Sequence, residues 1–142
     1  LKVNTVNEIK YSLTPILHWI CFFKRNPNHA AAEFLFSKAE RGELKIFMSS
    51  IAFCNISYFI SKKYSNPEAR NILQKFRLLI NILSVDEQII DISLSSAFHD
   101  YEDAIQYHVA VKNKVDILLT RNLKDFKKSS IPVSTAASFL HT

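Results

Sequence analysis

Glycine is almost missing from this chain: Gly42 is the only one. A loop that cradles phosphates needs glycines where the backbone approaches the ligand, so P-loop and dinucleotide Rossmann sites are excluded. Cysteine is scarce as well. Cys21 and Cys54 stand in apolar surroundings without metal-ligand spacing, and read as buried free thiols of a reducing compartment. No apolar run is long enough for a membrane span; Ile16 to Phe23 is broken by His18 and ends at Lys24-Arg25. That run also lacks a small-residue cleavage site downstream, so a cytosolic protein is expected. One more absence matters later: no carboxylate lies between Glu8 and Glu33.

What is present suits one globular domain over residues 1–142. Hydrophobic residues make up 48% of the chain and charged residues 22%, enough for a proper core without staples. The formal net charge of +5 fits an anionic partner such as nucleic acid, though small basic domains are common on other grounds.

Local signals then alternate. A helix is expected from His29, after Pro27-Asn28, to about Arg41, with Gly42 ending it in the position that wants a left-handed residue. Leu44 to Met48 reads as a strand, and Ser49 or Ser50 caps a helix to about Lys63. Asn66-Pro67-Glu68 combines cap, early proline and first-turn acid, opening a helix to about Leu79. Ile80 to Val85 reads as a strand, and Asp86 caps a helix to about Leu94. A helix from Asp100 to about Lys112 follows, then an apolar strand from Val115 to Thr120. Ile131 to Ser134 and a short terminal helix capped by Ser134 or Thr135 complete the series. Continuous apolar strands alternating with helices predict an α/β fold, a mostly parallel sheet with helices on both faces.

The C-terminal third carries the chemistry. Asp100 and Asp103 open a helix as i,i+3 neighbours, and Asp125 lies in the turn Arg121-Asn122-Leu123-Lys124-Asp125-Phe126, just past a strand's C-terminal end. Open parallel sheets place their ligand sites there. Clustered carboxylates suit a hard divalent cation, Mg²⁺ or Mn²⁺. Arg121 and Lys124 flank these acids and could position a phosphate.

The stretches Phe98-His99-Asp100-Tyr101-Glu102-Asp103-Ala104-Ile105-Gln106, Leu119 to Phe126 and Ile131-Pro132-Val133 closely resemble PIN-domain proteins. The likeness is nearest to the bacterial branch related to VapC-type toxins, and the order of elements agrees from about Lys24 to Leu140. The resemblance implies a three-layer fold and a Mg²⁺- or Mn²⁺-dependent ribonuclease. It also implies RNA as substrate, and commonly a homodimer paired with a small antitoxin. Asp103 and Asp125 match family metal ligands, and Asp100 is a possible third. Asn122 stands where the turn often carries its first acid, and Asn55 where many members place a glutamate.

The family's first strand ends in Asp-Thr-Asn, with that aspartate as the central ligand. The corresponding place here is Leu13-Thr14-Pro15-Ile16, which holds no acid, and Pro15 cannot donate to an interior ladder. The genetic code offers a reason. Shifting the frame so that each codon's third base joins the next codon's first two turns a G-ending leucine codon and any threonine codon into GAC, aspartate. ACA at Thr14 and CCA at Pro15 then give threonine and asparagine. CAT at His18 supplies leucine, and Trp19 followed by Ile20 forces GAT. The shifted frame can read Asp-Thr-Asn-x-x-Leu-Asp, the family's opening motif. A frame slip over roughly residues 11 to 24 is the resulting hypothesis, and weak or absent metal binding and cleavage the expectation.

Plainer readings stand beside these. Asp100 is equally a helix cap, Asp116 a solvated residue, and Asn55 a group satisfying backbone. Lys127-Lys128 fits a wet face; His18, His29, His99 and His108 fit structural roles. Phe22, Phe23, Phe34, Phe36, Phe47, Phe53, Tyr58 and Phe59 read as core before base-stacking platform. The alternative function is a non-catalytic module gripping RNA or protein on the same fold; a purely structural protein ranks third.

Overall fold

The computed structural model describes residues 10–13, 29–139 and 141. Five strands run parallel in the order β3-β2-β1-β4-β5. They are β1 (Lys10–Leu13), β2 (Lys45–Ser49), β3 (Ile80–Leu83), β4 (Ile117–Leu119) and β5 (Val133–Ser134). Two parallel pairs, β2–β3 and β4–β5, are bridged by β1, which registers Ser12 with Phe47 on one side and with Leu118 on the other. The α/β class with parallel strands is as expected. β1 is described from Lys10 to Leu13. Thr14, Pro15, Ile16, His18, Trp19, Ile20, Cys21, Phe22, Phe23 and the Lys24-Arg25-Asn26-Pro27 run lie outside the described residues.

Five helices connect the strands among the described residues and a sixth follows the last strand: α1 (His29–Glu40), α2 (Ser50–Lys63), α3 (Asn66–Arg77), α4 (Glu87–Leu94), α5 (Tyr101–Lys112) and α6 (Ala136–Phe139). Their starts follow local chemistry. Oγ of Ser49 accepts the Ala52 amide and Oδ1 of Asp86 accepts that of Ile89, each satisfying a donor the first turn leaves orphaned. The cap of α3 is Ser65 rather than Asn66, because Glu68 reaches back to accept both the backbone N–H and the hydroxyl of Ser65. Gly42 sits at φ 72, with its N–H on Ala39 O and the Glu43 N–H on Lys38 O, which closes α1 as the sequence suggests.

Alternation along the strands divides the interior in two. Ile46, Met48 and Leu119 join one apolar cluster, with α1, α2, α3 and α6. Phe47 and Leu118 point into the other, with Ile89 of α4 and Ile105 and Val109 of α5. Strands buried on both faces explain the continuous apolar runs. Two expectations about burial fail. Cys54 is exposed, since it lies on the outer face of α2 whose inner face carries Ala52, Ile56 and Ile60. Phe34, Tyr58 and Phe59 are exposed too, whereas Phe36, Phe47 and Phe53 are partly buried against the core. Lysine ammonium groups stand over two of the outer rings, Lys38 on Phe34 and Lys62 on Tyr58.

The order of the strands fixes where a site can form. The chain winds from β1 to β2 and β3 on one side, then crosses to β4 and β5 on the other. The reversal at β1 leaves a crevice outside the carboxyl ends of β1 and β4, the usual ligand position in open parallel sheets.

Candidate functional site

Beyond the end of β4 the chain makes a tight polar turn. The buried Thr120 accepts the Asn122 amide on Oγ1 at 3.0 Å and donates its own N–H to Ser134 O of β5. This anchors Asn122 at the sheet rim, and a short 3₁₀ turn, Leu123–Phe126, carries Asp125 back beside it. From the other side α5 brings its first turn. Oδ1 of Asp100 accepts the Asp103 amide at 3.0 Å, so Asp100 caps this helix, and its carboxylate folds back onto its own turn. Its other oxygen makes no described hydrogen bond.

The two segments meet at one amide. Nδ2 of Asn122 donates to Oδ2 of Asp103 at 3.2 Å and to Oδ2 of Asp125. An ionised carboxylate only accepts, so the amide nitrogen, with its two hydrogens, is the group that can serve both. Asn55, from α2, does not join this trio by a hydrogen bond. It donates instead to Oε1 of Glu102 at 2.9 Å, a side-chain partner rather than the backbone group its plainer reading supposed. Glu102 is the residue the sequence reading passed over. Its signal was available, as three acids within Asp100-Tyr101-Glu102-Asp103, but its partner is 47 residues away in the chain. Arg121 is exposed beside Asn122, and Lys124 is exposed beside Asp125; Asp116 is exposed before β4, away from the rim.

The acids repel one another. Asp103 is 5% exposed, and its carboxyl is pushed up to about 6, first by burial and then by Asp100, with Asp125 and Glu102 adding to the rise and the Asn122 amide opposing it. No cation contributes to lowering it. A negative cluster around a buried carboxyl is relieved by a proton or a metal ion. Among the described residues no group of three or more His, Cys, Asp or Glu side chains is arranged to hold a metal. The two converging carboxylates nevertheless suit a Mg²⁺ or Mn²⁺ ion that keeps most of its waters, since Mg²⁺ commonly takes only one or two protein carboxylates.

A family model for the PIN domain matches residues 16–124. The chain belongs to the PIN-domain family. Solved PIN-domain relatives give the same fold at low identity. VapBC2 from Rickettsia felis, bound to a promoter DNA fragment, superposes with a TM-score of 0.64 at 17% identity, covering 88% of this chain and 97% of that one. A toxin–antitoxin complex from Klebsiella pneumoniae gives 0.64 at 22% identity, covering 89% and 97%. VapC20 from Mycobacterium tuberculosis, a toxin that cleaves the sarcin–ricin loop, gives 0.58 at 10% identity, covering 76% and 86%. No curated protein sequence matches the chain significantly. No helix among the described residues is long and apolar enough to cross a membrane.

Proposed function

We propose that this PIN domain is a metal-dependent endoribonuclease scaffold of toxin–antitoxin type, with cleavage weakened by the absence of the family's first aspartate. The observation that carries the reading is the convergence of Asp103 and Asp125 on one amide at the switch point of the sheet. Asp103 and Asp125 would hold Mg²⁺ or Mn²⁺, with Asp100 a further acid on the same turn. Such an ion would supply polarisation of a phosphodiester and a lowered pKa for an attacking water. Asn122 orients both carboxylates, Asn55 orients Glu102, and Arg121 and Lys124 hold the RNA phosphates. The same reading takes the five strands as the central sheet of a three-layer scaffold. It assigns as partners a second copy of the chain and a small antitoxin, an antitoxin being present in the Klebsiella pneumoniae complex that shares the fold.

Cleavage of a mixed RNA pool in Mn²⁺ tests the nuclease role. Weak, metal-dependent cleavage that disappears in Asp103→Asn is expected; cleavage indifferent to that substitution overturns the site. Robust cleavage by the unaltered chain overturns the impairment alone. A non-catalytic binding module is favoured by one observation, the lack of a third metal-ligating group among the described residues. Mn²⁺ separates the readings, because a ligand that binds only the folded form raises Tm.

A further inference from the structure

A cleft of about 460 Å³, lined by Asp125 but not by Asp103, opens between the α4–α5 connection and the 3₁₀ turn. Phe98, His99, His108, Lys124, Lys127 and Lys128 line it with Asp125. We propose that this cleft holds one nucleotide of a single-stranded RNA, its phosphate on Lys124, Lys127 and Lys128 and its base against Phe98; the assignment rests on the ribonuclease reading above.

Charge comes first. Three lysines meet one carboxylate, and Asp125 already accepts the Asn122 amide. None of the three lysines forms an ion pair among the described residues, although Lys124 adjoins Asp125 in the chain. Three free ammonium groups around one cavity need an anion with several oxygens, which a phosphate supplies. Part of the lining is aromatic and packed in place. Phe98 packs with ring centroids 5.1 Å from Tyr107, 5.5 Å from Phe126 and 6.1 Å from His108. A ring held on several sides is a ready stacking surface, with little left to order when a base arrives. His108 completes the polarity. Its Nδ1 lies 2.8 Å from Ala104 O, and a carbonyl can only accept, so Nδ1 carries the proton. Nε2 makes no hydrogen bond among the described residues and is left for a polar group of the ribose or the base.

The position gives the cleft its purpose. Asp125 belongs to both the cleft and the carboxylate pair, so a strand seated by one nucleotide here passes its next phosphodiester over Asp103 and Asp125. The lysine pair that the sequence alone reads as a wet face becomes a register for the RNA.

Binding of fluorescently labelled hexauridylate to the full chain in EDTA tests the assignment without metal or cleavage. Lys127→Glu with Lys128→Glu should weaken it at least about tenfold at roughly 50 mM salt, and reduce the slope of log K against log salt by about 1.4, for two lost phosphate contacts. Lys62→Glu with Lys75→Glu, the same charge change on α2 and α3, should leave affinity within about twofold. Adenosine 5′-monophosphate should shift the Phe98 and His108 resonances where adenosine alone does not. Equal weakening by both double variants, no measurable binding, or equal displacement of the RNA by an acidic peptide of matched charge would overturn the proposal, the last in favour of protein docking. Cleft binding in EDTA is read apart from any response to Mn²⁺. Binding intact with no Mn²⁺ response would therefore sink the nuclease reading alone, and Mn²⁺-dependent cleavage without cleft binding would sink the subsite alone.

Discussion

Asp103 is a residue at odds with its surroundings, and the sign of its pH effect follows. Its carboxyl titrates near 6 in the fold against an ordinary 3.8, so between those values the folded chain binds more protons than the unfolded one. Stability from this group is greatest below pH 3.8 and is lost as pH rises through 6, up to about 3 kcal/mol in all. In EDTA, urea unfolding should show this group making the chain roughly 1 kcal/mol less stable at pH 7.5 than at pH 5. Asp103→Asn should remove that difference and end any stabilisation by Mn²⁺. An unchanged pH slope in the variant would show that the acids do not repel as the geometry implies. Asn122 permits the converse change. Asn122→Asp exchanges a donor shared by two carboxylates for a third carboxylate. Its Tm in EDTA should fall, by the equivalent of about 1–3 kcal/mol for the lost half-buried bonds, and its rise on adding Mn²⁺ should exceed that of the parent. A variant as stable as its parent in EDTA, with no larger metal response, would contradict both parts.

At the scale of elements, two helix ends offer a matched pair. α1 ends at Gly42 with φ 72, and α5 ends at Lys114 with φ 53, where the Val115 N–H reaches Ala110 O at 3.0 Å. Both close their helices by the same left-handed turn, but only one uses glycine. Lys114→Gly should therefore stabilise the chain by roughly 0.5–1 kcal/mol. Gly42→Ala should destabilise it by about 1 kcal/mol, although a Cβ there meets nothing within 4 Å. Chemical denaturation of both variants checks the opposite signs. Such ends show why the elements were legible in the sequence. Ser49, Asp86, Asp100 and Gly42 act on neighbours three to five residues away, so their effect can be seen without the fold. The strand expected from Val115 begins at Ile117 because Val115 spends its amide closing α5. Burial of rings was less legible. Phe53 and Tyr58 sit on one helix with similar neighbours, and only the packing of α3 against α2 decides that Phe53 is covered, its ring stacked 6.3 Å from Phe76. Glu102 was missed for the same reason, since its bond to Asn55 joins two helices that local signals treat separately.

For the whole molecule, the position of β1 matters most. It lies between β2 and β4, so its carboxyl end borders the same crevice as Asn122 and Asp125. In register it places Leu13 beside Leu119, one residue before the buried Thr120 that anchors the polar turn. A family acid at the end of this strand would therefore complete the pair formed by Asp103 and Asp125, and the sequence offers leucine and threonine instead. The frame-slip hypothesis makes that substitution a fact about the gene rather than about selection on the site. Its test is the coding DNA: a leucine codon ending in G at Leu13, ACA at Thr14, CCA at Pro15 and CAT at His18 are expected, with single-base changes in length on either side. Other codons at Leu13, Thr14 and Pro15 end the idea. If the expected codons are found, a chain expressed from the restored frame should bind Mn²⁺ at least about tenfold more tightly, since disturbing even the groups that support a metal's ligands typically changes affinity by about 10–100-fold. Equal Mn²⁺ stabilisation of the two chains would mean that β1 contributes no ligand, and that Asp103 and Asp125 are the whole of the site.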